Sequence, residues 1–193
     1  TSISKQQNST SINGLNETLH VKCSELGIRY QSYIGGYNQY NQELLDPKSE
    51  LYNFSPDITF LIIDIRNFLG EHFHHPYNIS DGERKILVNE KIDDLKNLIE
   101  NFEKNLKSKL VITNFNTPSY SPNGIIETKS KFGFHEMIEE INNSLRNISK
   151  NHDSVYVYDF RQFISKFGEK NVFDYRQFHL GDIQIAFNFI PFF

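Results

Sequence analysis

The stretch from Pro56 to Asn67 constrains the fold more than any other. It reads Pro-Asp-Ile-Thr-Phe-Leu-Ile-Ile-Asp-Ile-Arg-Asn. A proline and an acid open it. The next six residues, Ile58 to Ile63, are apolar or β-branched without interruption. A run that short and that apolar fits a strand buried on both faces. Such strands lie mid-sheet in α/β folds, with helices on either side. Asp64, Arg66 and Asn67 follow at once, at the carboxyl end of the strand. In open α/β sheets, that edge is where ligands and catalytic groups collect.

The flanking sequence alternates between strand and helix patterns. A first strand is expected at Ile3 to Gln7. Leu15, Leu19, Cys23 and Leu26 then share one helical face, and Gly27 reads as the C-cap. Ile28 to Ile34 reads as a strand that Gly35 and Gly36 end. A Tyr- and Gln-rich segment, Tyr37 to Glu43, leads through Leu44 to Phe54 into the central strand. Residues 68–79 read as a loop holding Glu71, His72, His74 and His75. Ser80 and Glu83 form a capping-box pattern. Val88, Ile92, Leu95, Ile99, Phe102 and Leu106 then trace one face of a long helix. Leu110 to Thr113 is the next buried strand, with Asn114 and Asn116 at its carboxyl end. Residues 117–133 form a long Pro/Gly/Ser loop, a length often associated with function. Phe134, Met137, Ile138, Ile141, Leu145 and Ile148 mark another helix. Val155 to Phe160 reads as a strand, Phe160 to Phe167 as a short helix, and Ile183 to Phe193 as a closing helix or apolar tail. Strands joined by helical crossovers predict one α/β domain over residues 1–193. It is a three-layer αβα sandwich around a parallel sheet of about five strands.

Composition narrows the function classes. The 193 residues suffice for one domain with a core. Hydrophobic content is only 38%, but 17 Phe and 10 Tyr compensate because each buries a large area. The net charge of −4 without a basic block argues against a nucleic-acid partner. No apolar run approaches the ~20 residues of a membrane span. The single cysteine, Cys23, excludes an internal disulfide and fits a cytoplasmic location. A chain that opens on Thr1 is expected to be part of a longer protein.

Polar residues gather at the expected strand ends: Ser11, Gly35 and Gly36, Asp64 to Asn67, Asn114 and Asn116, and late in the chain His179. A serine hydrolase needs a nucleophile, a base that takes its proton, and amide donors for the oxyanion. Ser11, His179, a glycine amide and an asparagine side chain supply these four types. Each also has a structural reading. Ser11 can cap the first helix, and His179 can be a surface or satisfied core histidine. Asp64 and Arg66 can form an ion pair or anchor a carboxylate or phosphate. Asn114 and Asn116 can be turn residues. The His72, His74 and His75 cluster lacks chelating spacing on one element and reads as a solvated loop. No metal or cofactor is implied.

The layout resembles the SGNH (GDSL-type) hydrolase superfamily, which has a flavodoxin-like three-layer fold. Ser9-Thr10-Ser11 stands where that family has Gly-Asp-Ser, which places Ser11 on the nucleophile. Gly36, with Gly35, matches the glycine block. Asp64-Ile65-Arg66-Asn67 replaces Gly-x-Asn-Asp, so Asn67, or Arg66 by strict register, takes the oxyanion position. His179-Leu180 matches the closing Asp-x-x-His-Leu, but Arg176 stands in place of its aspartate and Asp174 lies two residues too early. A catalytic histidine without an orienting carboxylate loses control of its tautomer.

Residues Tyr37 to Asp57, running into the apolar strand, resemble the N-terminal domain of FkbH-like proteins. There an SGNH-like domain precedes a haloacid-dehalogenase-type domain associated with loading glyceryl groups onto acyl carrier proteins. That domain's Asp-x-Asp-x-Thr motif is echoed at Asp64, but Arg66 and Phe68 replace its second Asp and its Thr, so phosphoryl chemistry is not expected here. The resemblance implies an accessory domain with weak or no hydrolase activity. Its expected partners are an acyl carrier protein and a haloacid-dehalogenase-type domain. In that reading, Asp64, Arg66, Asn114, Asn116 and Asp174 contribute to substrate binding. The alternative is an active SGNH esterase or acyltransferase using Ser11 and His179.

Overall fold

Five parallel strands form a single sheet in the order β2-β1-β3-β4-β5. The computed structural model describes residues 3–8, 14–174 and 185–193. The strands are β1 (Ile3–Asn8), β2 (Tyr30–Ile34), β3 (Ile58–Ile62), β4 (Lys109–Thr113) and β5 (Val155–Tyr158). Register pairs Gln6 with Ile34, Asn8 with Ile62, Leu61 with Ile112, and Thr113 with Tyr158, so the carboxyl ends lie close to one line. The chain leaves β1 for one side of the sheet and later crosses back to the other, which puts the topological switch between β1 and β3.

The central run sorts its side chains by strand alternation. Leu61 and Ile63 face one apolar cluster, and Ile62 faces the other. The first cluster is covered by α2 (Tyr40–Leu45), α3 (Glu50–Phe54), α6 (Asp81–Asn105) and α7 (Phe134–Ser149), through Leu44, Leu51, Leu95, Ile99, Phe102, Met137 and Ile141. The second is covered by α1 (Leu15–Glu25), α8 (Phe160–Phe167) and a 3-10 segment, Phe187–Phe192, through Leu15, Phe160, Phe163, Ile164 and Ile190. Here Tyr158, Phe160 and Phe163 pack edge-on against Phe193, with ring centroids 5.0 to 5.7 Å apart. Among the described residues, no helix is long and apolar enough to cross a membrane.

Local physics explains the departures from the sequence pattern. β2 begins at Tyr30 rather than Ile28, because Gly27 and Ile28 close α1. Gly27, at φ +67°, donates to the Ser24 carbonyl at 3.0 Å, and Ile28 N–H donates to Cys23 at 2.8 Å. That is a Schellman closure, which needs the left-handed residue a glycine supplies. Residues 68–79 are largely helical rather than a loop. α4 (Ile65–Leu69) starts directly after β3, followed by α5 (Glu71–His74) and a 3-10 turn at Pro76–Asn78. Burial of Phe68, Leu69 and Phe73 drives this. β5 stops at Tyr158 rather than Phe160 because Asp159 turns the chain and caps α8, accepting from Gln162 N–H at 3.0 Å. The long loop contains a 3-10 stretch, Gly124–Lys129, and α9 (Glu169–Val172) follows α8. The closing segment is 3-10, and Pro191 inside it lacks the N–H an α-helix would use.

The capping box occurs as its residues predict. Glu83 N–H donates to Ser80 Oγ at 3.3 Å, and Ser80 N–H donates to the Glu83 carboxylate at 2.7 Å. Of the predicted α6 stripe, Val88, Leu95, Ile99, Phe102 and Leu106 are buried, and Ile92 packs against the same cluster.

Candidate functional site at the carboxyl edge of the sheet

β3 delivers Asp64 to its carboxyl end, where the chain turns into α4 with Asp64 as N-cap. The carboxylate is buried, 1% exposed, and accepts from Arg66 N–H at 2.7 Å. Arg66 folds back over it. Its Nε lies 3.1 and 2.9 Å from the two carboxylate oxygens, and Nη2 also reaches Oδ2. Two residues that the sequence allows as either ion pair or anchor are therefore bonded to each other. The Arg66 side chain keeps 24% exposure toward solvent, whereas that of Asp64 has none.

Asn67, one residue on, donates from Nδ2 to the Tyr37 hydroxyl at 3.3 Å. Tyr37 lies just beyond β2, and Asn67 lies in α4, the helix that follows β3. Because β1 runs between those strands, this bond crosses the carboxyl end of β1 at the switch point. Gly36 sits in the same connection, in a turn closed by Gln39 N–H to the Gly36 carbonyl at 3.2 Å. A side chain at Gly36 would collide with the Gln39 amide. The structure thus brings the Gly36–Tyr37 turn and Asn67 together. Ser11, His179 and Arg176 lie outside the described residues. Asp174 is half-buried after α9.

Further along the edge, Asn114 is buried at the end of β4 and faces the neighbouring strand. Its Nδ2 donates to Asp159 Oδ1 at 2.9 Å, and its Oδ1 accepts from Arg161 N–H at 3.2 Å. It braces β4 to the start of α8. Burial acts to raise the Asp159 pKa. Hydrogen bonds from Asn114 and Gln162 N–H, with the charges of Arg161 and Arg146, outweigh it and hold the carboxyl below its ordinary value. Asn116 is half-buried beyond Phe115. The Phe115 backbone is held by Asn142 of α7, which accepts its N–H at 2.8 Å and donates to its carbonyl at 2.9 Å. Neither Asp159 nor Asn142 stood out in the sequence. For Asp159 a signal exists, since Asp-Phe-Arg-Gln has the spacing of an N-cap pattern.

The distinctive Tyr37–Phe54 stretch has a structural logic centred on Glu43. Its carboxylate accepts from Tyr33 Oη at 2.8 Å and from Leu51 N–H at 3.1 Å, while Ser49 Oγ donates to its carbonyl at 2.7 Å. Burial, reinforced by the carboxylates of Glu43 and Glu50, pushes the Tyr33 phenol well above its ordinary pKa. Glu43 therefore fixes α2 against α3 and against β2.

Two other clusters carry tempting residue types. His72 and His74 lie in α5, with His72 Nε2 3.8 Å from Glu71; among the described residues, no group of three or more ligand types is placed to hold a metal ion. At the opposite edge of the sheet, Glu103 receives both His152 Nδ1 at 2.5 Å and Ser154 Oγ. These are the three types of a triad in the wrong order. The serine bonds to the acid rather than to the histidine, so the cluster ties α6 to the start of β5.

This architecture, with polar loop residues at a doubly wound switch point, is that of an SGNH-like α/β domain. Solved structures with the same fold include a putative GDSL-like lipase from Parabacteroides merdae. It has a TM-score of 0.61 and 16% identity over 98% of this chain and 90% of that one. An acetylxylan esterase from Geobacillus stearothermophilus gives 0.52 and 15%, over 86% and 80%. The N-terminal part of a Bacteroides fragilis protein, containing a phosphatase domain and complexed with Mg, gives 0.83 and 19%. That match covers 97% of this chain and 48% of the other, so the chain spans about half the length of that structure. A family model described as FkbH, N-terminal domain, matches residues 8–193, and the chain belongs to that family. A comparison with curated proteins finds no match.

Proposed function

We propose that this domain is an accessory module. It positions an acyl carrier protein, or the acyl group that protein carries, for a glyceryl-type loading reaction, with weak or no hydrolase activity of its own. The observation that supports it is the Tyr37–Asn67 bond across the end of β1. In a working SGNH site, the asparagine amide beyond the central strand should be aimed at an oxyanion. Here one N–H of that amide is given to a tyrosine, and the preceding arginine is folded onto Asp64. Family membership and the phosphatase domain in the Bacteroides fragilis structure support a second, haloacid-dehalogenase-type domain as partner. The alternative, a serine esterase or acyltransferase using Ser11 and His179, draws support from the esterase-like fold and from Gly36 and Asn67 meeting at one edge.

The test is a titration of the chain with a holo acyl carrier protein, followed by calorimetry or fluorescence anisotropy. Saturable binding, with a dissociation constant on the order of 10 μM as for transient complexes of small interface, is the expected result. Absence of binding by a folded sample contradicts the reading.

A further inference from the structure

The long β4–α7 connection lies on the same edge as the candidate site and carries an apolar pair with no obvious structural use. Ile125 is 90% exposed and Ile126 is 65% exposed. Two isoleucines left in water side by side in an ordered segment need a reason.

The segment is ordered by its own chemistry. Glu127 turns inward, where its carboxylate accepts from Tyr77 Oη, from Ser121 Oγ and from His135 N–H, the last at 3.0 Å. His135 Nε2 contacts the Tyr120 carbonyl at 3.0 Å, and Ser121 Oγ accepts from Asn123 N–H at 3.1 Å. These contacts fix the 3-10 turn with its isoleucines outward. Both acids of this stretch are engaged locally. Of the two carboxylates between residues 120 and 136, Glu127 is half-buried, and Glu136, although exposed, is turned back to accept from Gly133 N–H at 2.5 Å. Lys129 and Lys131 are exposed, with no hydrogen-bond or ion-pair partner among the described residues. On a chain of net charge −4, this stretch offers two apolar anchors beside two exposed cations.

We propose that Ile125 to Lys131 is a docking surface for an acidic amphipathic helix of a partner protein, with the isoleucines as anchors and Lys129 and Lys131 facing its carboxylates. Charge complementarity selects an acidic occupant. Apolar side chains at helical spacing would cover the isoleucines. Naming the occupant as an acyl carrier protein rests on the reading proposed above; the surface itself does not. Docking there places the partner beside the edge that carries Asn67.

The experiment titrates holo acyl carrier protein against the wild-type chain, against Ile125→Asp/Ile126→Asp and against Lys129→Glu/Lys131→Glu, at low and at ~0.3 M salt. Circular dichroism melts monitor the fold. All four positions are exposed, and the melts are expected to match wild type. The isoleucine variant is expected to weaken binding by at least about tenfold, as loss of a central anchor does. The lysine variant is expected to weaken it severalfold and to flatten its salt dependence. Wild-type binding that both variants leave unchanged overturns the docking surface while the carrier reading stands. No binding by wild type overturns the carrier reading and this occupant with it. If the isoleucine variant instead releases a haloacid-dehalogenase-type domain and leaves carrier binding intact, the surface belongs to that domain and the proposal fails.

Discussion

Arg84→Met is expected to destabilise the protein by about 3–5 kcal/mol, the range for stripping one member from a buried charged network. Arg84 is 3% exposed, although it lies on a helix whose outer face is charged. Its Nε donates to the Phe132 carbonyl at 2.8 Å, and Nη1 donates to the carbonyls of Pro76 and Ile79 at 3.2 and 2.5 Å. Nη2 pairs with Asp81, and the guanidinium lies 4.8 Å above the Tyr77 ring. One side chain thus ties the turn before α6 to the far end of the β4–α7 connection. Methionine keeps much of the stem but satisfies none of those carbonyls, and each orphaned buried acceptor costs about 1–3 kcal/mol. For a domain of this size, the melting temperature should fall by roughly 10 °C. Lys85→Met, one residue away and exposed, should change it by less than ~2 °C, in keeping with a surface substitution worth about 0.5 kcal/mol or less. A loss below about 1 kcal/mol for Arg84→Met in urea denaturation would contradict this account.

Arg66→Met should cost a comparable amount, about 3–5 kcal/mol, because it leaves a buried carboxylate without the guanidinium that faces both its oxygens. Asp64→Asn/Arg66→Met should recover part of that loss. An asparagine still caps α4 and carries no charge into the interior. The cycle should close with a coupling of about 1–3 kcal/mol. This separates the two readings of Arg66. If it is a ligand anchor alone, Arg66→Met should leave the urea midpoint unchanged, and the substitutions should add independently.

The parts of the structure legible in the sequence are those fixed by short-range pattern. Ile58 to Ile63 announced a central strand. Ser80 and Glu83 announced the start of α6, and the Val88–Leu106 stripe its buried face. The Tyr37–Asp57 stretch carried the family resemblance. What escaped depends on partners far away in sequence. Arg84 reads as one more surface charge until Phe132 closes on it from 48 positions on. Asn142 looks like an interruption in an apolar face until it meets the Phe115 backbone. The helices in 68–79 were hidden because their burial comes from Phe68, Leu69 and Phe73, spaced among histidines and glycine. At the candidate site, the residue types at the strand ends were legible. That Asn67 bonds to Tyr37, and Asp64 to Arg66, follows only from strand order and from the turn into α4.

If the domain is the accessory module proposed above, its carboxyl edge has the form of a hydrolase site without the function of one. Covalent labelling with a fluorophosphonate probe tests it most directly, using wild type and Ser11→Ala in parallel, with folding verified for both. The account predicts no labelling above the Ser11→Ala background. Stoichiometric labelling of wild type that disappears in Ser11→Ala would establish an activated serine. It would contradict the accessory reading and direct the search to ester and acyl-thioester substrates.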